Sequence, residues 1–341
     1  MSALAVQSQT VLQVSDLHVD IATARGTVRA VDGVSIDVPR GEAVGLVGES
    51  GSGKSMTLRA ILGVLPAEAK ITGGQVVLDG TDLVPLPTSA LNRIRGPKLA
   101  MIFQEPMSAL NPVMRVGWQI AEGPRVHLGL SRSKAAERAV ELMRRVGIPD
   151  AERRFRAYPH EFSGGMRQRV MIAIALSCDP EVILCDEPTT ALDVTIQDQI
   201  LRLLAGLCRE SGVSLLFVTH DLPVVAQLCQ HLAVMYGGQI VEQGPVADVF
   251  SKPQHPYTLG LLRSAPDAEV VRESLVPIPG SPPSLITPPS GCRFHPRCSF
   301  AEPDCAVDPS PPLRLLDGGR ATACLHYERC QETFQPEEVS N

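Results

Sequence analysis

The sequence has no apolar run of the length a bilayer crossing needs; the longest, such as Val170 to Leu176, span a few residues and read as buried core segments. A helix that spans a membrane is excluded. There is no excess of positive charge either. The 31 Lys+Arg stand against 37 Asp+Glu, a formal net charge of -6, which disfavours a nucleic-acid backbone as the main partner. Met1 to Thr10 lack a basic start and an apolar stretch with a small-residue cleavage site, so no secretory signal is expected and the chain is expected to stay in the cytoplasm. In that reducing compartment its nine cysteines are not expected to form disulfides. No cysteine pair has the C-x2-C spacing, and no aromatic residue occurs between Met1 and Gly48.

What is present is the usage of an ordinary folded protein, 44% hydrophobic and 20% charged. A length of 341 residues suits one large domain plus an appendage. Proline marks the boundary: 15 of 29 prolines lie after Ser251, and Pro277 to Pro289 holds six. Fixed dihedrals and missing donors exclude helix and sheet interiors there. We therefore expect a main domain over residues 1–265, a Pro-rich linker over 266–290 and a cysteine-bearing module over 291–341. Within the main domain, Ala43 to Val47, Leu99 to Phe103, Val182 to Cys185 and Ser214 to Val218 read as buried strands. Helices such as Ser133 to Val146 and Val194 to Glu210 separate them. That alternation predicts an α/β fold, a mainly parallel sheet wrapped by helices.

After the first of these strands comes Gly48-Glu49-Ser50-Gly51-Ser52-Gly53-Lys54-Ser55, which fits G-x-x-x-x-G-K-S/T between a strand and a helix. Its glycines let the backbone curl so that successive N–H groups face phosphate oxygens, and the helix opening at Lys54, Ser55 and Met56 adds its positive end. Lys54 is expected to reach the outer phosphates and the Ser55 hydroxyl to ligate magnesium. The strand at Val182 to Cys185 ends in Asp186 and Glu187. Asp186 is the candidate magnesium holder and Glu187 the candidate base that positions the attacking water. A third element, Ser163-Gly164-Gly165, opens an apolar helix and makes a second anion-receptive start. Two such starts exceed the need of one nucleotide, so one is expected to serve the nucleotide of a neighbouring subunit.

With these three elements in order, the chain resembles the ATP-binding subunits of ABC transporters, which implies a P-loop NTPase fold with a helical subdomain. The resemblance implies that Ser163-Gly164-Gly165 presses on ATP held by the opposite subunit. It implies that Gln104 contacts magnesium and water and links the site to membrane subunits. It further implies that Thr190-Ala191-Leu192-Asp193 communicates across the dimer and that His220 contacts the terminal phosphate. By itself the segment at Thr190 reads as a helix start capped by Asp193. Family members often carry an upstream aromatic that stacks on adenine; the corresponding position falls near Arg25, whose guanidinium plane could lie on a base or simply be a solvated charge.

Phe103 to Pro112, His255-Pro256-Tyr257-Thr258 and Gly291-Cys292-Arg293-Phe294-His295-Pro296-Arg297-Cys298 look like the dipeptide and oligopeptide importer branch, a pattern that nickel importers share. The branch implies a second, paralogous ATP-binding subunit, two transmembrane permease subunits and an extracytoplasmic peptide-binding protein, with this chain at the cytoplasmic face of the membrane. Cys292, Cys298, Cys305 and Cys324 are spaced C-x5-C-x6-C-x18-C. Four soft thiolates suggest metal. The resemblance implies a 4Fe-4S cluster, with zinc or uncoordinated thiols as alternatives; Cys330 is left over, and His295 and His326 are near enough in sequence to substitute. Cys178, Cys185, Cys208 and Cys229 sit in apolar runs and read as small core residues. A soluble ABC-type ATPase of DNA repair or translation would show a coiled-coil insert, a second cassette or a basic face, and none is in the sequence. A P-loop kinase would leave Ser163-Gly164-Gly165 and His220 without a task.

Overall fold

A computed structural model describes residues 10–190, 192–264 and 277–333. Among them are strands β1 (Thr10–Thr23), β2 (Gly26–Pro39), β3 (Ala43–Val47), β4 (Ala69–Leu78), β5 (Thr81–Asp82), β6 (Leu99–Ile102), β7 (Val182–Asp186), β8 (Ser214–Thr219), β9 (His231–Tyr236), β10 (Gln239–Pro245), β11 (Arg314–Leu315) and β12 (Ala321–Thr322). The chain forms two compact units. One takes the described residues up to Leu12 with Asp37–Ala43 and Val77–Phe217; the other takes Gln13–Ile36, Val44–Val76 and the chain from Val218 onward. No helix of the described residues is long and apolar enough to cross a membrane.

In the first unit, every residue of β6 and β7 is buried, as expected of strands covered on both faces. They run parallel in the register Leu99↔Val182 to Ile102↔Cys185, and β8 lies beside β7. Phe103, read as strand from its sequence, lies just past the end of β6. The Arg132–Arg145 helix buries Ala135, Ala139, Leu142 and Met143, one stripe at helical spacing, and Ser131 caps it by accepting the Lys134 N–H. Beside it, the Val116–His127 helix approaches Phe155 so closely that a Cβ on Gly117 would lie 2.1 Å from the ring.

In the second unit, β3 runs parallel to β9 from Val44↔His231 to Val47↔Val234. β9 turns through Gly237 and Gly238 into antiparallel β10. β10 then pairs with β12 in the register Glu242↔Thr322 and Gln243↔Ala321, and β11 follows at the edge. The cysteine-bearing tail therefore extends the same sheet. Residues 277–290 contain no helix or strand, yet they are anchored: the Arg29 N–H donates to Leu285 O at 3.1 Å. Residues 266–276 of the expected linker lie outside the described residues.

Two findings differ from the sequence reading. Antiparallel pairs at β9–β10, β10–β12 and β11–β12 share the sheet with parallel ones: short turns join β9 to β10 and β11 to β12 as hairpins, and the tail returns past two helices to lay β12 beside β10. The 14-residue strands β1 and β2 were not anticipated. Asp16 within β1 has φ of 49, and the buried side moves there from Leu12 and Val14 to Leu17 and Val19, breaking the period-2 alternation that marks a strand; β2 keeps Ala30, Val34, Ile36 and Val38 on one buried face.

Candidate functional site

The phosphate-type loop leaves β3 at Gly48 and enters the Lys54–Leu62 helix. Glycine is obligatory at two positions. A Cβ on Gly48 would lie 2.1 Å from Met235 O, and one on Gly53, where φ is +109, would lie 2.2 Å from Ala30 O. Lys54 is 5% exposed, and its Nζ donates to Gly48 O at 2.7 Å and Glu49 O at 3.0 Å. The ammonium is thus held across the mouth of its own loop, where an anion can draw on it. Ser50 and Gly51 are open, whereas Ser52 is buried and its carbonyl accepts the Gly238 N–H at 2.9 Å. Ser55 and Met56 lie half-buried in the first helical turn, and His220 is exposed just after β8. Arg25 is exposed in the β1–β2 turn, with its N–H donating to Thr23 Oγ1.

In the other unit, β7 delivers Asp186, 3% exposed, at its C-terminal end. The next residue, Glu187, is non-glycine at φ 44, a sparsely populated conformation of the kind held where the surroundings over-determine it. Its Oε2 accepts from Gln104 Nε2 at 3.3 Å and from Thr190 Oγ1 at 2.9 Å. Two residues picked from sequence 83 positions apart are thus brought into contact. Asp193 caps the Val194–Ser211 helix by accepting the Ile196 N–H at 2.9 Å. Ala191, within that segment, lies outside the described residues. Ser163 caps the Gly164–Leu176 helix by accepting the Met166 N–H, and that helix starts at the glycines, six residues before the apolar run. A Cβ on Gly164 would meet nothing within 4 Å, whereas one on Gly165 would lie 2.6 Å from Ile196. The helix start is open on one side and packed on the other.

Sequence reasoning missed the residues that brace the phosphate loop. The Tyr257 hydroxyl accepts the Glu49 N–H at 2.7 Å, and Arg297 forks onto the Glu49 carboxylate at 2.7 and 3.0 Å. Arg293 pairs with Asp32 and the Gly237 carbonyl. Tyr236, Tyr257 and Phe294 form an aromatic cluster with centroids 4.5 to 5.4 Å apart. The one available signal was Glu49 itself, an acid in an anion-binding loop.

Cys292, Cys298, Cys305 and Cys324 all line one pocket, together with His255, His295 and His326. The Cys292 N–H donates to Cys305 O at 2.8 Å, drawing two of the thiol-bearing loops together. Burial pushes the Cys292 thiol up to about 11 and the Cys298 thiol to about 12. Burial disfavours thiolates there; the soft metal-ligating character of the pocket rests on its lining of four cysteines and three histidines. Asp304, Cys305 and His326 have ligand atoms within 4.8 Å of one another, and no group of three cysteines among the described residues is that close. Cys330 is buried and hydrogen-bonds Cys324 rather than lining the pocket. Cys178, Cys185 and Cys229 are buried core residues as expected, while Cys208 is only half-buried.

The ABC transporter family model matches residues 31–190, and the model of the oligopeptide/dipeptide transporter C-terminal region matches 241–305. The oligopeptide transport ATP-binding protein OppD of Escherichia coli (strain K12) is 46% identical over 94% of each chain. A probable peptide ABC transporter ATP-binding protein, y4tR of Sinorhizobium fredii, is 49% identical over 93% of this chain and 95% of its own. Among solved structures, the dimeric ABC transporter cassette MJ0796 superposes with a TM-score of 0.63 at 27% identity, covering 69% of this chain and 98% of that one. The cassette cbiO1 of Clostridium perfringens gives 0.61 at 28% identity, covering 72% of this chain and 92% of its own. On sequence and fold alike, the chain belongs to the ATP-binding proteins of the ABC transporter family.

Proposed function

We propose that this chain is the ATP-hydrolysing subunit of an importer of di- and oligopeptides, peripheral to the cytoplasmic face of the cell membrane. The observation that carries the reading is a phosphate loop with its lysine clamped on its own carbonyls, in a chain that also holds Glu187 against Gln104. The peptide transport roles of the two relatives support the peptide substrate. The partners are a paralogous ATP-binding subunit, two transmembrane permeases and an extracytoplasmic peptide-binding protein. In function the chain divides into the ATP-binding domain over 1–265, a linker over 266–290 and the C-terminal module over 291–341.

Each residue has a task in this reading. Gly48 to Ser55 and Met56 form the phosphate cradle from loop backbone and the helix start, with the Glu49 N–H left to Tyr257, and Lys54 exchanges its carbonyl contacts for phosphate oxygens. Ser55, Gln104 and Asp186 would hold magnesium, which when bound neutralises charge on the terminal phosphates. Glu187 Oε2 takes the proton of the attacking water, with Gln104 and His220 orienting that water. Ser163, Gly164 and Gly165 complete the site of the facing subunit. The four pocket cysteines would hold a 4Fe-4S cluster, which crosslinks a proline-rich tail with little core of its own. Their spread supports a cluster over a lone zinc, because Zn–S bonds of about 2.3 Å bring tetrahedral thiolates to roughly 3.8 Å from one another.

The test is transport. The complex reconstituted in vesicles should accumulate labelled peptide only with ATP on the side of this subunit. Accumulation that is independent of ATP would refute the reading, and copurification with ribosomes or DNA instead of permeases would refute the transport role.

A further inference from the structure

A phosphate-binding loop is built to attract negative charge, and this one carries a carboxylate at its second position. Glu49 would oppose a polyphosphate at the range of a few bond lengths that separates residues of one loop, in a partly buried site where screening is weak. The structure shows what offsets it. Arg297, from the cysteine-bearing tail and 248 residues away, donates Nη1 to Glu49 Oε2 at 2.7 Å and Nη2 to Oε1 at 3.0 Å. This is the bidentate fork of a strong charge-assisted pair.

The guanidinium has little freedom to leave. Its side chain is 6% exposed, its Nε donates to Pro279 O at 2.7 Å, and Nη1 also reaches the Tyr236 hydroxyl at 3.2 Å. The plane lies over the Tyr236 and Phe294 rings, 5.7 and 5.9 Å from their centroids. On the main chain of the same residue, the Glu49 N–H is committed to Tyr257. Both ends of Glu49 are therefore fixed by segments C-terminal to β10.

We propose that Arg297 is a positioning residue for ATP: it neutralises Glu49 and turns that carboxylate away from the phosphates, so that the loop's anion affinity depends on the tail. The inference rests on the ATP-binding reading and adds a determinant of affinity to it. Two opposed effects distinguish it from simple packing. Removing the arginine charge leaves a bare carboxylate in the cradle. Removing both charges leaves none.

The test is equilibrium binding of magnesium-ATP to the full chain, with melting temperature recorded for each variant. Wild-type protein must bind first; failure there would defeat the nucleotide reading itself and this inference with it. Given binding, Arg297→Gln should weaken affinity about tenfold, a change of roughly 1.4 kcal/mol, and the deficit should narrow as added salt screens the bare carboxylate. Arg297→Lys should lose less, since it keeps the charge and gives up the fork. The Glu49→Gln/Arg297→Gln double variant should recover most of the loss. Wild-type affinity in Arg297→Gln would overturn the proposal. So would a double variant as weak as Arg297→Gln, because that outcome assigns Arg297 a packing role alone. If Arg297→Gln does not fold, Arg297→Lys and the double variant decide between the same outcomes.

Discussion

Glu242 offers a prediction whose size follows from its surroundings. It lies on β10 with 0% exposure, accepting the Gln254 N–H at 2.8 Å and the His255 N–H at 2.9 Å. Arg320, next to β12, reaches it at 3.5 Å. Through these bonds it sets the start of the Pro256–Ser264 helix, which carries Tyr257 to the phosphate loop. Burial pushes this carboxyl up from 4.5 to about 7. The folded chain holds the proton in that interval and the unfolded chain releases it. The stability tied to this proton is therefore complete below pH 4.5, declines through the interval and is lost above pH 7. At about 1.36 kcal/mol per unit, the gap amounts to about 3 kcal/mol. His255 works in the opposite sense. Burial pushes it down from 6.5 to about 3, so its contribution is complete above pH 6.5 and falls away in acid, and the two slopes oppose between pH 4.5 and 6.5.

Glu242→Gln removes one slope and leaves the other. The amide also surrenders one of two accepting oxygens, a fixed cost of about 1 to 3 kcal/mol for the backbone N–H left behind. That cost does not depend on pH, so the informative quantity is how the stability difference changes. Urea unfolding of wild type and variant from pH 4.5 to 8 should show the wild-type advantage shrinking by about 3 kcal/mol. The variant alone should gain stability as pH rises toward 6.5, following His255. A difference constant across the range would refute the reasoning that burial keeps this carboxyl protonated.

The remaining predictions concern the tail. Anaerobically purified protein should be brown and contain about four irons and four sulfides per chain; colourless protein containing zinc would overturn the cluster. Cys305→Ser should lose most of the iron, whereas Cys330→Ser should keep it, because Cys330 faces Cys324 outside the pocket lining. Equal iron loss in both variants would contradict that assignment.

How much of this was legible in the sequence differed with range. The phosphate loop and the Asp186-Glu187 strand end were readable because their constraints are local: glycines where backbone crosses at close quarters, and a wholly buried strand that ends in acids. Helix starts at Ser163 and Asp193 followed from capping chemistry. Two long-range contacts did not. Gln104 was singled out by the family resemblance alone, and its contact with Glu187 needs β6 and β7 to pair. Arg297 read as one basic residue in a proline-rich tail; only the folded chain puts it on Glu49. β1 was hidden for a different reason, since the buried side moves from Leu12 and Val14 to Leu17 and Val19 across Asp16; β2 keeps its alternation through Val34, Ile36 and Val38 and was open to reading.

The central claim is that this chain hydrolyses ATP with Glu187 as base, and the assembled complex tests it most directly. Turnover by Glu187→Gln should fall by two orders of magnitude or more, about the contribution of a positioned general base, while magnesium-ATP still binds and holds the paired subunits together. Hydrolysis at the wild-type rate in that variant would contradict the account.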